Sequence, residues 1–180
     1  MNKNSIIYDD LYRYTGNRSF KSLIRYVLFT PAFRYIFFFR KCQKKNLLFP
    51  FYRVMLFHYS HKYGIQIPYQ TKIGRGLRIL HFNNIVINPE AIIGENFNIT
   101  QGCTIGIDGG DNFGVPKIGN NVAMQPNSVV VGNITIGDNS LIAPNAFVNF
   151  DVPPDSIVIT QKCKVIYKEN ASVDWAIRRV

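Results

Sequence analysis

Ile118-Gly-Asn-Asn-Val-Ala-Met124-Gln-Pro-Asn-Ser-Val-Val130-Val-Gly-Asn-Ile-Thr-Ile136-Gly-Asp-Asn-Ser-Leu-Ile142-Ala-Pro-Asn-Ala-Phe-Val148 decides the fold. An aliphatic residue or Met returns at every sixth position, and turn-forming Gly, Asn, Asp and Pro lie between. Toward the N-terminus the rhythm resumes, after seven extra residues, at Ile105, Ile99, Ile93 and Ile87. After two more extra residues it resumes at Ile79, Ile73 and Ile67. All 13 marked positions are aliphatic or Met. With about one residue in three apolar, chance produces such a run well under once in about 10⁵ trials.

A period of six suits neither an α-helix, which repeats at 3.6, nor a hairpin strand, which repeats at two. It suits a strand of about four residues and a sharp corner of about two, repeated. Three such sides close a coil of about 18 residues. The marked residue points inward and stacks on its counterpart in the next coil, so the stack supplies the core. The period does not choose the hand of the coil.

The first third is different. Residues 1–62 hold twelve Lys and Arg against Asp9 and Asp10, an excess of ten that accounts for the whole net charge of +10. The same residues hold 16 of the 25 aromatic side chains. Helices are predicted over Ser19–Phe29, stopped at Thr30-Pro31, over Ala32–Lys45, and from about Phe51 to Lys62. The apolar stretch Leu23–Phe39 is interrupted by Arg25, Pro31 and Arg34 and is short for a membrane span. Basic, aromatic helices suit peripheral contact with an anionic inner membrane. They equally suit packing against the rest of the chain or a partner subunit. No nucleic-acid-binding motif accompanies the charge, so nucleic acid is not expected. The three well-separated cysteines (Cys42, Cys103, Cys163) exclude a disulfide scaffold and fit a reducing compartment. The first residues show no signal peptide, and a cytoplasmic location is expected.

Three segments resemble a known family. They are Lys72-Ile-Gly-Arg-Gly-Leu-Arg-Ile-Leu-His81, Gln101-Gly-Cys-Thr-Ile-Gly106, and Pro116-Lys-Ile-Gly119 with Val131-Gly-Asn-Ile-Thr-Ile-Gly137. Together they resemble the hexapeptide-repeat acyltransferases, and within these the serine acetyltransferase branch. The resemblance implies a mainly β fold: a left-handed parallel β-helix with an N-terminal α-helical region and a short C-terminal helix. The expected division is 1–63 helical, 64–166 β-helix with an excursion loop at 107–117, and 167–180 C-terminal helix or tail. It further implies acetyl-CoA as co-substrate, no metal, and a homotrimer with active sites between subunits.

Acetyl transfer to a hydroxyl needs a base for the proton, and a neutral imidazole suits that task near pH 7. Of His58, His61 and His81, only His81 lies among the repeats, beside the two-residue insertion. It falls on the position of the family's catalytic histidine. His58 and His61 read as helix surface, with no third metal ligand in view. Cys103 sits at a repeat position that usually holds a small buried residue, so it is not expected to be a nucleophile. By the resemblance, Gly106, Ala143, Pro144, Lys162 and Lys164 are the cofactor-binding candidates, the lysines as point charges for phosphates.

The serine branch carries an aspartate 15 residues before the histidine and another next to it. Here those positions are Gln66 and Leu80. The loop Gly109-Gly-Asp-Asn-Phe-Gly-Val-Pro-Lys117 resembles enzymes that acetylate sugars in capsule, O-antigen or exopolysaccharide synthesis. Gln66, Asn83 and Asn84 are the candidates for orienting His81 or binding the acceptor, which is read as a sugar or lipid-linked glycan. The alternatives are a serine O-acetyltransferase and a catalytically inactive β-helix scaffold.

Overall fold

The computed structural model describes residues 5–44, 46–161 and 167. From Ile65 onward the chain winds through five coils of short parallel strands. The first holds β1 (Ile65–Gln66), β2 (Lys72–Ile73) and β3 (Arg78–Ile79). The second holds β4 (Ile85–Ile87), β5 (Ile92–Ile93) and β6 (Asn98–Ile99). The third holds β7 (Thr104–Gly106), β8 (Lys117–Ile118) and β9 (Ala123–Met124). The fourth holds β10 (Val129–Val131), β11 (Thr135–Ile136) and β12 (Leu141–Ile142). In the last, β13 (Phe147–Val148) and β14 (Ile157–Val158) flank a single bridge from Val152 to Ile136. Every third strand pairs, so three parallel sheets form the sides of a prism: β1-β4-β7-β10-β13, β2-β5-β8-β11 and β3-β6-β9-β12-β14. We call these the first, second and third faces.

The register follows the six-residue rhythm. Ile73, Ile93, Ile118 and Ile136 stack on the second face, and Ile79, Ile99, Met124 and Ile142 on the third. All 13 marked residues are buried. Each such side chain contributes about 1.5–3 kcal/mol through removal from water. At the corner between the second and third faces, Asn96, Asn121, Asn139 and Asp155 all adopt left-handed backbone. Their side chains form a ladder, each amide donating to the next residue's oxygen at 2.8–3.0 Å. Asn and Asp accept this conformation at lower cost than other residues with a Cβ, and the ladder ties the coils together outside the core.

Four helices precede the coils: α1 (Ile6–Thr15), α2 (Phe20–Phe29), α3 (Pro31–Cys42) and α4 (Phe49–Tyr63). Ser19 caps α2 by accepting from the Ser22 N–H, and Pro31 opens α3. Three helices were expected. The first, α1, was not, and α3 ends at Cys42 rather than Lys45. The excursion loop is one residue shorter than expected, because Lys117 already belongs to β8. The expected C-terminal helix lies outside the described residues.

The first coil has no coil before it, so its backbone would present unpaired N–H and C=O groups. The helices pair them one face at a time. On the first face, the Tyr35 hydroxyl donates to the Ile67 carbonyl (2.9 Å) and accepts from its N–H (3.2 Å). On the second, Arg40 donates to the carbonyls of Ile73 (2.7 Å) and Gly74 (2.6 Å). At the following corner, Asp10 accepts from the Leu77 N–H (2.8 Å). On the third, the Tyr14 hydroxyl donates to the Ile79 carbonyl (2.7 Å) and accepts from its N–H (2.9 Å). Asp10 and Arg40 form a two-pronged ion pair (2.8 and 3.2 Å) with both side chains fully buried. Burial pushes the Asp10 carboxyl up, while Arg40 and the N–H groups of Leu77 and Gly76 pull it back. Beneath this layer, Ile36, Phe39 and Cys42 of α3 join the apolar interior of the coils.

The apolar stretch 23–39 therefore divides. Its α3 half is core, with eight of the helix's residues buried. Its α2 half is surface, with Leu23 alone buried. The two helices meet at 111°, and no single helix among the described residues is long and apolar enough to cross a membrane.

Candidate functional site

The two extra residues of the first coil form a bulge between the third and first faces, from Leu80 to Asn84. Asn83 (φ 112°) and Asn84 (φ 53°) take left-handed backbone there. This lifts His81 out of the coil, and its side chain is exposed. Among the described residues no hydrogen-bond partner holds the ring, Asn83 and Asn84 included. The bulge is braced from two sides. The Phe82 ring packs on Tyr63 of α4 (centroids 5.2 Å apart), and Gly64 presses against Asn83 and Asn84. Beside it, the last turns of α4 border a hollow of about 390 Å³ lined by Ser60, His61, Gly64 and Gln66.

Gln66 also borders a groove of about 460 Å³ over the first face, which runs past Val86 and Ile87 to Gly106 and Ile107. Gly106 differs from its counterparts. A Cβ on Gly94 would lie 2.6 Å from the Gly119 carbonyl oxygen, so coil packing requires glycine there. A Cβ on Gly106 would meet Val131 and Thr104 at 3.5 and 3.7 Å, ordinary contact distances, and the backbone is not left-handed. Among the described residues, nothing demands glycine at 106. The bare backbone opens toward the groove.

The candidates do not all meet within one chain. Ala143 and Pro144 lie on the same corner line as His81, three coils further on, about 14 Å away at the strand spacing. Gly106 and the loop 107–116 leave the opposite edge of the first face. Cys103 is buried, and its thiol donates to the Gln125 carbonyl (3.1 Å), as befits a core residue. Among the described residues, no group of three metal-ligating side chains is present. Lys162 and Lys164 lie outside the described residues.

This architecture has known relatives. Residues 116–149 match the bacterial transferase hexapeptide family (six repeats). The chain is 34% identical over 103 residues to WcaB of Escherichia coli, named as a colanic acid biosynthesis acetyltransferase; the match covers 57% of this chain and 64% of that protein. It is 38% identical over 109 residues to the serine acetyltransferase of Helicobacter pylori, 59% of this chain and 63% of that one. Among solved structures, serine acetyltransferase isoform 3 of Entamoeba histolytica, in complex with cysteine, superposes with a TM-score of 0.74 at 28% identity, over 93% of this chain and 62% of that one. Over residues 116–149 the chain carries the repeats of the hexapeptide family, and beyond them it is similar to these acetyltransferases. Its coil is the left-handed β-helix of those structures, with N-terminal helices in front. The matched stretches span less than two thirds of these relatives' own length.

The sequence does not reveal the contribution of α4. His61 and Ser60 join Gln66 around one hollow only because α4 packs beside the first coil. The His61 Nδ1–H donates to the Phe57 carbonyl (2.9 Å), which leaves Nε2 as the open nitrogen. The i, i+3 spacing from His58 carried no sign of this placement.

Proposed function

We propose that this chain is an acetyl-CoA-dependent O-acetyltransferase acting on a sugar hydroxyl in the synthesis of a cell-surface polysaccharide. The observation that carries the reading is the exposed His81 ring, lifted from the coil by the bulge and left without a partner among the described residues. A neutral imidazole there accepts the proton of the acceptor hydroxyl as its oxygen bonds to the thioester carbonyl carbon. The C–S bond then breaks, and the imidazolium returns the proton to the leaving thiolate. An ester and free coenzyme A result, with no acyl-enzyme.

Gly106 supports coenzyme A as the donor, because its bare backbone lets a ligand approach the first face closely. Gln66, Asn83 and Asn84 border the acceptor side, and Ala143 and Pro144 extend the His81 edge toward the cofactor. We further propose a homotrimer, whose subunits bring the His81 edge of one chain against the Gly106 edge of the next. Exposed Phe147 on the first face and Ile157 on the third suit such contact; on the second, exposed Ile92 stands between Lys72 and Lys117.

A sugar acceptor is favoured over serine by the similarity to the colanic acid enzyme and by a gap in charge. Between Asp10 and Glu90 the chain has no acidic residue, so neither carboxylate position of the serine branch is filled. The similarity to serine acetyltransferases keeps L-serine as the second reading. The proposed setting is the cytoplasm, at the inner face of the cytoplasmic membrane.

Calorimetric titration with acetyl-CoA tests the donor, and release of coenzyme A thiol in the presence of sugars or L-serine tests the acceptor. Binding near one site per chain and turnover with sugars are expected. Turnover with L-serine alone selects the second reading. Absence of acetyl-CoA binding in folded protein sinks both and leaves an inactive scaffold.

A further inference from the structure

The face of α2 turned away from α3 is unusual. Phe20, Ile24 and Leu28 follow one another at intervals of four and form a single row, 45–58% exposed. Lys21 and Arg25 form the adjoining row, also exposed. Phe29, at the end, is 77% exposed. Among the described residues no acidic side chain pairs with Lys21 or Arg25: Asp10 is buried against Arg40, and Asp9 pairs with Arg18 (2.7 Å).

We propose that α2 rests on the surface of an anionic phospholipid bilayer, with the Phe20–Ile24–Leu28 row inserted and Lys21 and Arg25 at the phosphates. An apolar row beside a basic row is the pattern of a helix lying in the interface, where apolar burial and charge attraction add. A second copy of the chain fits less well, because it brings the same excess of positive charge against itself. Nucleic acid fits the basic row but not the apolar one.

The placement of α2 gives the docking a purpose. Arg34 donates to the carbonyls of Val27 (2.6 Å) and Leu28 at the end of α2, and to the Tyr63 hydroxyl (2.7 Å). Tyr63 packs on Phe82, the neighbour of His81. The apolar end of α2 is thus linked through two side chains to the bulge that carries His81. A bilayer under α2 brings that bulge to the lipid surface, where a lipid-linked glycan presents its hydroxyls. This last step rests on the sugar acetyltransferase reading.

Flotation of the full chain with vesicles tests the docking. Binding is expected to vesicles of phosphatidylcholine with about one third phosphatidylglycerol, to weaken as NaCl rises from about 0.1 to 0.5 M, and to be at least about tenfold weaker with phosphatidylcholine alone. The triple variant Phe20→Ser, Ile24→Ser, Leu28→Ser is expected to lose at least about tenfold in bound fraction. It keeps its unfolding midpoint and its acetyl-CoA titration, since these side chains lie on the exposed face. No flotation of the intact chain overturns the docking, as does an equal loss in a variant that has also lost its fold when Lys21→Gln with Arg25→Gln, still folded, floats normally. Oligomer dissociation in the triple variant without vesicle binding by the parent also overturns it, in favour of self-association. Flotation without acetyl-CoA binding leaves the docking and removes the transferase. Acetyl-CoA binding without flotation does the reverse.

Discussion

Within the coils, the strand backbone pairs with the strands of the neighbouring coil, and the same solution recurs every 18 residues or so. At the upstream end, the same kinds of group are met by side chains: Tyr35, Arg40, Asp10 and Tyr14, each once, from helices 32–67 residues away in the chain. A β-helix can propagate on backbone pairing alone, but it cannot end on it. The end needs donors and acceptors placed one by one, and here all four are charged or phenolic side chains.

The sharpest way to break this contrast is to remove one of the single-use partners. Arg40→Met leaves the Asp10 carboxylate buried without its counter-charge and the Ile73 and Gly74 carbonyls unpaired. A loss of about 3–5 kcal/mol is expected in urea unfolding, with part of it recovered when Asp10→Asn is added. His81→Ala tests the exposed counterpart. Turnover is expected to fall by about 10²–10⁴-fold with an unchanged unfolding midpoint, and near-normal turnover would remove the proposed base.

Smaller effects sharpen the contrast. Tyr14→Phe or Tyr35→Phe leaves a backbone N–H and C=O of the first coil unpaired, at about 1–3 kcal/mol each in thermal or urea unfolding. Gly94→Ala forces a Cβ against the next coil's backbone and is expected to cost about 1–3 kcal/mol. Gly106→Ala is expected to change stability by no more than about 0.5 kcal/mol while weakening acetyl-CoA in calorimetry. Equal destabilisation by the two alanines would make Gly106 a packing glycine. Finally, burial pushes the Cys42 thiol up to about 11. A raised thiol value keeps the protonated form, so alkylation of Cys42 in the native protein should be negligible at pH 8 and rise only as the pH approaches 11.

The coils were legible because their rule is local. A marked residue every sixth position, with Gly or Asn at the corners, states the inward side chain and the turn at the same time, and repetition separates the pattern from chance. The insertions were legible for the same reason, as breaks in the count, and His81 stands beside one of them. The helices were legible as helices, but α1 was missed. Its ten residues carry Asp9, Asp10, Arg13 and three tyrosines, and only the fold turns Asp10 and Tyr14 toward the first coil.

The order of residues alone established that the first third is basic and aromatic, that the remainder repeats by six, and that one histidine stands at a break in the repeat. Only the tertiary structure decided which of the basic and aromatic side chains are core and which are surface. It buries Arg40 as a cap on the first coil and leaves Lys21 and Arg25 exposed beside an apolar row. The physical reason is that a periodic pattern is satisfied by neighbours in the repeat. The partner of a single buried charge or hydroxyl is set by which distant backbone groups the fold leaves unpaired.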